Sequence, residues 1–161
     1  MPFGGGLFNI SFYDRGVAEG AAQATANAAS SLPGVSLNVT MNIPLVSNGG
    51  QTWVQEDERY TRGCSSDTSL NLPEGIFNTI TVNPTYTYNT SGFNPQHSTG
   101  CTVYGTKNGS EQAISPTSGN TYNISGCTAI RVHLTVSTTA ESYGPQMTFQ
   151  WGVGGSATLS S

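Results

Sequence analysis

Residues 35–42 read Val-Ser-Leu-Asn-Val-Thr-Met-Asn, and this stretch decides the fold class. Apolar side chains alternate with small polar ones at every second position, which is the period of a strand with one buried face. The apolar members are Val35, Leu37, Val39 and Met41. The same two-residue period recurs from here to the C terminus, in short segments that turn residues separate. The pattern therefore predicts an all-β domain.

Further short strands are predicted at 51–55, 76–82, 85–90, 102–106, 112–114, 121–124, 131–136 and 147–151. Asn83-Pro84 is expected to separate two of them, and the segments 56–75, 91–100 and 137–145 are expected to be loops. Asn108-Gly109 between two strands predicts a tight hairpin. About seven to nine short strands with frequent turns favour one antiparallel β-sandwich of the jelly-roll type. We assign it to residues 33–161.

The N-terminal residues 1–12 form an apolar arm that is rich in glycine. Its large apolar side chains are Phe3, Leu7, Phe8, Ile10 and Phe12. Burying each one contributes about 1.5–3 kcal/mol, whereas leaving them exposed creates an aggregation-prone patch. We therefore expect residues 1–12 to dock on another subunit.

Residues 14–30 carry the one predicted helix. Ser11 and Asp14 fit a capping box, and a polar stripe recurs every four residues along the segment. The apolar face is almost entirely alanine, including Ala18, Ala21, Ala22 and Ala29. Such a face buries little area but allows close approach of another backbone. It either packs in the same subunit contact as the arm or lies on the domain's own sheet. Arm and helix together make up a first segment, residues 1–32.

Composition and charge exclude several classes of protein. Charged residues are only 9% of the chain and the net charge is −4. Five basic residues cannot form a broad phosphate-binding surface, so no nucleic-acid partner is predicted. Nearly half of the chain is Gly, Ser, Thr or Asn, which is not the composition of a coiled coil or of a highly charged disordered chain.

The sequence also bears on the cellular compartment. It shows no secretory signal and no apolar run of about 20 residues, so we expect no membrane partner and folding in a cytosol. There are three cysteines, Cys64, Cys101 and Cys127. An odd number in a reducing compartment favours free buried thiols, and one disulfide with a free thiol is the alternative.

No catalytic, metal or cofactor site is predicted. His97 and Cys101 form the closest pair of metal-ligand residues, and structural zinc sites need two such pairs. There is no Gly-x-Ser-x-Gly motif, and Glu56 and Glu58 adjoin arginines in what reads as a solvated loop. We expect a protein that is not an enzyme. Aromatic side chains that could contact a ligand are Tyr60, Phe93 and Tyr143, although core filling is the alternative.

The C-terminal region shows a resemblance to a known class of proteins. Residues 122–134 read Tyr-Asn-Ile-Ser-Gly-Cys-Thr-Ala-Ile-Arg-Val-His-Leu, and Met-Thr-Phe-Gln-Trp-Gly follows at 147–152. This arrangement resembles a β-module common in virion proteins of tailed bacteriophages, in which a strand, a Ser-Gly turn and an Ala-Ile-Arg-Val strand precede a hairpin partner. Inward side chains are then Ile130, Val132, Leu134 and Val136. Outward ones are Arg131, His133 and Thr135, with His133 facing solvent or a cross-strand partner.

The resemblance implies a structural protein of a virus particle, made in the host cytoplasm. We favour a capsid decoration or cement protein attached through its arm. Its expected partners are other copies of itself, in a symmetric homo-oligomer, and another virion protein such as the major capsid protein. One alternative is a receptor- or glycan-binding tail appendage that uses Tyr60, Phe93 and Tyr143. Another is a subunit of a cell-surface filament that assembles by strand addition.

Overall fold

The computed structural model describes residues 6–12, 35–55, 58–144 and 146–161, with side chains from residue 38 onward. These residues form eleven strands and no helix, which confirms the all-β prediction. The predicted helix at 14–30, with its alanine face, and Phe3 lie outside the described residues. The strands are β1 (Gly6–Phe12), β2 (Val35–Pro44), β3 (Asn48–Val54), β4 (Arg59–Asn71), β5 (Thr79–Thr90), β6 (Phe93–Lys107), β7 (Ser110–Ile114), β8 (Pro116–Ser118), β9 (Thr121–Asn123), β10 (Ala129–Glu141) and β11 (Met147–Ser160).

The strands form two sheets that pack face to face, as the sandwich prediction requires. The seven-stranded sheet has the order β1-β2-β11-β5-β9-β8, and β3 also pairs with β11, in line with β2. The four-stranded sheet has the order β4-β10-β6-β7. Pairing is antiparallel throughout the described strands except between β1 and β2, which are parallel.

The core lies between the two sheets, as the alternating burial along β10 shows. Every second residue of this strand is buried, beginning with Ile130 and Val132, while Arg131 and His133 face outward and are half-buried. This confirms the predicted faces. Opposing side chains from the other sheet are Val39, Met41, Ile43, Ile80, Val82 and Leu159, each at most 1% exposed. A second, smaller cluster closes one end of the sandwich and consists of Val54, Ala140, Met147 and Phe149.

Three predicted loops are wrong in whole or in part. Most of the segment 56–75 belongs to β4, whose thirteen residues all pair with β10. The segment 91–100 forms the first half of β6, and β10 extends beyond 136 to Glu141. The physical reason is that β4 and the first half of β6 gain their stability from pairing with β10. They do not carry an apolar face of their own, and the inward positions of β4 include the buried Ser66 and Thr68.

The turn predictions had mixed outcomes. Asn108 and Gly109 have φ angles of 51° and 76° and join β6 to β7, which confirms the hairpin. The expected break at Asn83-Pro84 is wrong, because β5 continues through it. Pro84 lies opposite Gly155, whose φ is +119°. A side chain there would meet the Asn83 carbonyl at 2.2 Å, so glycine lets β11 accommodate the proline.

The two strands of the C-terminal module do not form the hairpin that the resemblance implied. β10 lies in the four-stranded sheet and β11 in the seven-stranded sheet, so the chain crosses the sandwich between Glu141 and Met147. Each strand is the centre of its own sheet: β4 and β6 flank β10, while β5 lies on one side of β11 and β2 with β3 on the other.

Candidate functional site

The arm contributes a strand at the edge of the seven-stranded sheet. All seven residues of β1 pair with β2, from Gly6 opposite Val35 to Phe12 opposite Met41. A parallel pair needs a crossover connection of about a dozen residues or more, and residues 13–34 supply it. Pairing with β2 places residues 6–12 on the chain's own sheet in this single chain. Docking of residues 1–12 on another subunit, together with the alanine face, stays a prediction.

Exposed aromatic side chains collect at the end of the sandwich where β10 ends and β11 begins. Among the described residues, Trp53, Tyr88, Phe93 and Tyr143 are the aromatics exposed by 46–64%. Phe93 is paired with Glu141 at the end of β10, and Trp53 is paired with Thr148 near the start of β11. A single end of the fold therefore presents these side chains to solvent.

The structure brings together two of the three aromatics predicted to face a ligand. The rings of Phe93 and Tyr143 are 5.5 Å apart and inclined by 46°. Tyr60 is half-buried and packs against the smaller core cluster, with the Arg62 guanidinium 5.4 Å from its ring centroid. A ligand-binding role for the three residues stays a prediction.

Polar groups beside Phe93 and Tyr143 are bonded to one another. The Tyr143 hydroxyl donates to the Glu141 carboxylate, and Asn94 Nδ2 donates to Glu141 Oε2 at 3.1 Å. These two bonds hold the pKa of Glu141 below its usual range, and the carboxylate raises the pKa of Tyr143. Arg59 donates to Gln96 Oε1 at 2.8 Å and lies 4.0 Å from Glu141. Much of the hydrogen-bonding capacity of this cluster is therefore used internally.

A second aromatic surface lies on the outer face of the seven-stranded sheet. Trp53 is 63% exposed, and its neighbours Gln51, Asn89, Thr148 and Gln150 are polar and uncharged. Together with Thr52 and Phe149 they line a cleft of about 200 Å³. This site was not among those predicted from the sequence. The signal for it in the sequence was a spacing of two residues. This spacing places Gln51 and Trp53 on one face of their strand, and Thr85, Thr87 and Asn89 on one face of theirs.

A larger cleft of about 580 Å³ lies at the opposite end of the sandwich, beside the β6–β7 hairpin. Its lining includes Lys107, Gln112, Asn123 and the buried Cys127. Burial raises the pKa of the Cys127 thiol, and the nearby Lys107 only partly opposes this. The thiol is therefore protonated at neutral pH and is a poor nucleophile.

All three cysteines are free in the structure, as favoured from the sequence, but only Cys127 is buried, whereas Cys64 and Cys101 are half-buried. Burial raises the pKa of Cys64 and Cys101 as well as that of Cys127. Cys101 accepts a long hydrogen bond of 3.9 Å from the Tyr122 hydroxyl. These environments are typical of structural thiols and not of reactive ones.

Within the described strands, charged side chains occur only in the four-stranded sheet. The strands of the seven-stranded sheet contain no Asp, Glu, Lys, Arg or His, whereas the four-stranded sheet carries several. On its outer face Arg131 bonds to Asp67 and Glu111 at 2.7 and 2.6 Å, and His133 Nδ1 lies 2.9 Å from Asp67. His133 thus has a cross-strand partner, as predicted.

Neither a metal site nor a membrane-spanning helix is found in the described part of the chain. There, no group of three or more His, Cys, Asp or Glu side chains is placed to hold a metal ion. The same residues include no helix that is long and apolar enough to cross a membrane.

No protein-family model matches the sequence, and no curated protein matches it significantly. Solved structures that match the chain include three of infectious bursal disease virus. The structure of its Gx strain is 16% identical over 77% of this chain and 32% of that one, with a TM-score of 0.30. The VP2 subviral particle is 11% identical over 71% and 40%, with a TM-score of 0.25. The Gt strain is 13% identical over 75% and 40%, with a TM-score of 0.26. The chain thus spans about a third to two fifths of the chains it matches.

Proposed function

We propose that the protein is a non-enzymatic structural component of a virus particle. Within that class we favour a decoration or cement protein of a tailed-bacteriophage capsid. The observation that carries the proposal is the edge position of β1, which pairs in parallel with β2 and is joined to it by residues 13–34. The C-terminal resemblance to bacteriophage virion modules supplies the particle class.

A strand in this position is suited to joining subunits. The main-chain hydrogen bonds between β1 and β2 are the same whether β1 comes from the same chain or from a neighbour. The long connection gives β1 reach, and the apolar residues of the arm supply binding energy. In the assembled particle the arm therefore leaves its own sheet and docks on an adjacent subunit.

The distribution of charge supports dense packing. A net charge of −4 disfavours close association of identical chains, but the strands of the seven-stranded sheet contribute no charge to it. The edge of that sheet where β1 lies can therefore approach another subunit without electrostatic repulsion.

A mass-spectrometric inventory of purified virus particles tests the particle class. We expect the protein in fixed proportion to the major capsid protein, and its absence from particles would contradict the proposal. Filaments formed by the purified chain alone would favour the filament-subunit alternative instead.

Two truncations test the role of the arm. A chain lacking residues 1–12 should stay folded and soluble but fail to attach to particles that lack the protein. The matched control lacks only residues 1–5, keeps β1 intact and should still attach. Unfolding of the longer truncation would mean that the arm belongs to the domain's own core, and normal attachment would mean that it has no role in assembly.

A further inference from the structure

Three carboxamide side chains form a row on the outer face of the seven-stranded sheet. Gln150 of β11 lies between Gln51 of β3 and Asn89 of β5 in the strand register. Adjacent strands are about 4.8 Å apart, so the three side chains leave the sheet at that spacing. All three are exposed, and none makes a side-chain hydrogen bond to another described residue.

Trp53 lies beside this row. It is two residues beyond Gln51, so it projects from the same face, and its register partner is Thr148. At 63% exposure, most of the indole surface is available to a ligand. The row, Thr148 and Trp53 line the cleft of about 200 Å³. This is less than the roughly 300–1,000 Å³ of a pocket for a drug-sized molecule, so the cleft has room for about one sugar ring.

We propose that this cleft binds one pyranose residue of a neutral glycan. A sugar ring presents a face of C–H groups, which packs on an aromatic surface, and an edge of hydroxyl groups. Each carboxamide offers both donors and an acceptor, which matches the dual character of a hydroxyl. The described strands of this sheet carry no charged side chain, so they do not select for an acidic sugar.

The hydrogen bonds already present distinguish this cleft from the Phe93–Tyr143 pair. The Tyr143 hydroxyl and Asn94 are already bonded to Glu141, and Arg59 is bonded to Gln96. A sugar would have to break those bonds before forming its own, and Glu141 adds a negative charge. The carboxamides beside Trp53 have no such bonds to lose. The site is independent of attachment through the arm.

Binding of the full-length protein to a defined set of oligosaccharides tests the inference. The probes are the neutral tetrasaccharides of β-glucose, α-glucose, mannose and N-acetylglucosamine, with sialyllactose as the charged comparison, each measured by isothermal titration calorimetry. We expect at least one neutral probe to bind more tightly than sialyllactose. Trp53→Ala should weaken that binding by about tenfold or more, because it removes the stacking surface. Gln150→Ala should weaken it by a smaller factor.

The matched control is Tyr88→Ala, which removes an exposed aromatic on the opposite face of β5 and should leave the affinity unchanged. Circular dichroism of each variant checks that it is folded. The inference is overturned if no neutral probe binds, if sialyllactose binds best, or if binding survives Trp53→Ala. It is also overturned if Tyr88→Ala alone abolishes binding. A Trp53→Ala variant that loses only self-association, measured by sedimentation, would identify the face as a subunit contact and would likewise overturn it.

Discussion

The guanidinium carbon of Arg131 lies 4.1 Å from the centroid of the Tyr104 ring, and the two residues are register partners on β10 and β6. The same guanidinium donates to Glu111 through Nε and Nη2 and to Asp67 through Nη1. Arg131 therefore ties together β4, β10, β6 and β7, the full width of the four-stranded sheet. Lysine could not make these contacts together, because it lacks the planar fork.

Replacing Arg131 by lysine should lower the free energy of unfolding by about 1 kcal/mol, from the lost stacking and the lost second ion pair. Urea denaturation of the full-length protein measures the change. The matched control is Arg62→Lys, because the Arg62 guanidinium lies farther from its ring, at 5.4 Å. An equal loss in both variants would show that the Arg131 contacts contribute nothing particular.

Asp67 makes stability depend on acid pH. The hydrogen bond from Arg131, more than that from His133, lowers the pKa of Asp67 below its ordinary 3.8. A carboxyl whose pKa is lower in the folded state contributes stability above about pH 4, and that contribution is lost as pH falls through the folded pKa. Asp67→Asn should therefore flatten the acid side of a plot of melting temperature against pH. The effect is below about 1 kcal/mol because the side chain is 47% exposed.

Tyr122 makes stability depend on alkaline pH, so that stability falls as pH rises, whereas for Asp67 it falls as pH decreases. Burial, with further contributions from Cys101, raises the pKa of this phenol from 10.0 to about 12. A raised folded pKa contributes stability below about pH 10, and the contribution is lost as pH rises through about 12. An ultraviolet titration should show a tyrosine step near pH 12, and Tyr122→Phe should remove that step. If the step persists in this variant, another tyrosine causes it.

Gly63 of β4 is expected to tolerate no side chain. A Cβ atom there would lie 2.1 Å from the Val136 carbonyl oxygen and 2.8 Å from Ser137 Cα. Both atoms belong to the backbone of β10, so the two strands would have to separate. Gly63→Ala should cost about 1–3 kcal/mol in thermal or urea unfolding. Ser65→Ala, at an exposed position on the same strand, should change stability by less than about 0.5 kcal/mol.

The parts of the fold that could be predicted from the sequence are strands whose own residues alternate between apolar and polar. β10 alternates buried and outward residues throughout, so its strand and its faces could both be predicted. β4 could not, because polar Ser66 and Thr68 occupy inward positions that pattern reasoning expects to be apolar. Its extended form depends on pairing with β10, which is about 70 residues away in sequence.

The candidate sites follow the same rule. Phe93 and Tyr143 could be picked out singly as exposed aromatics, but their contact depends on where β6 begins and β10 ends. The carboxamide row beside Trp53 needs the register of β3, β5 and β11, strands that are far apart in the sequence. A single sequence does not contain that register, because it follows from how the two sheets close around a shared core.

The most direct test of whether the arm docks on an adjacent subunit is to trap it there with a disulfide bond. Asn9 lies opposite Asn38 in the β1–β2 register, so Asn9→Cys with Asn38→Cys places two thiols across this pair. The doubly substituted protein is attached to particles that lack the native protein, oxidised, and run on a non-reducing gel. Each single variant is the control for the native cysteines. Exchange of the arm between subunits predicts covalently linked dimers and higher species in the double variant only. A single-chain product with an internal disulfide would contradict the account, because the arm would then stay on its own domain in the assembly.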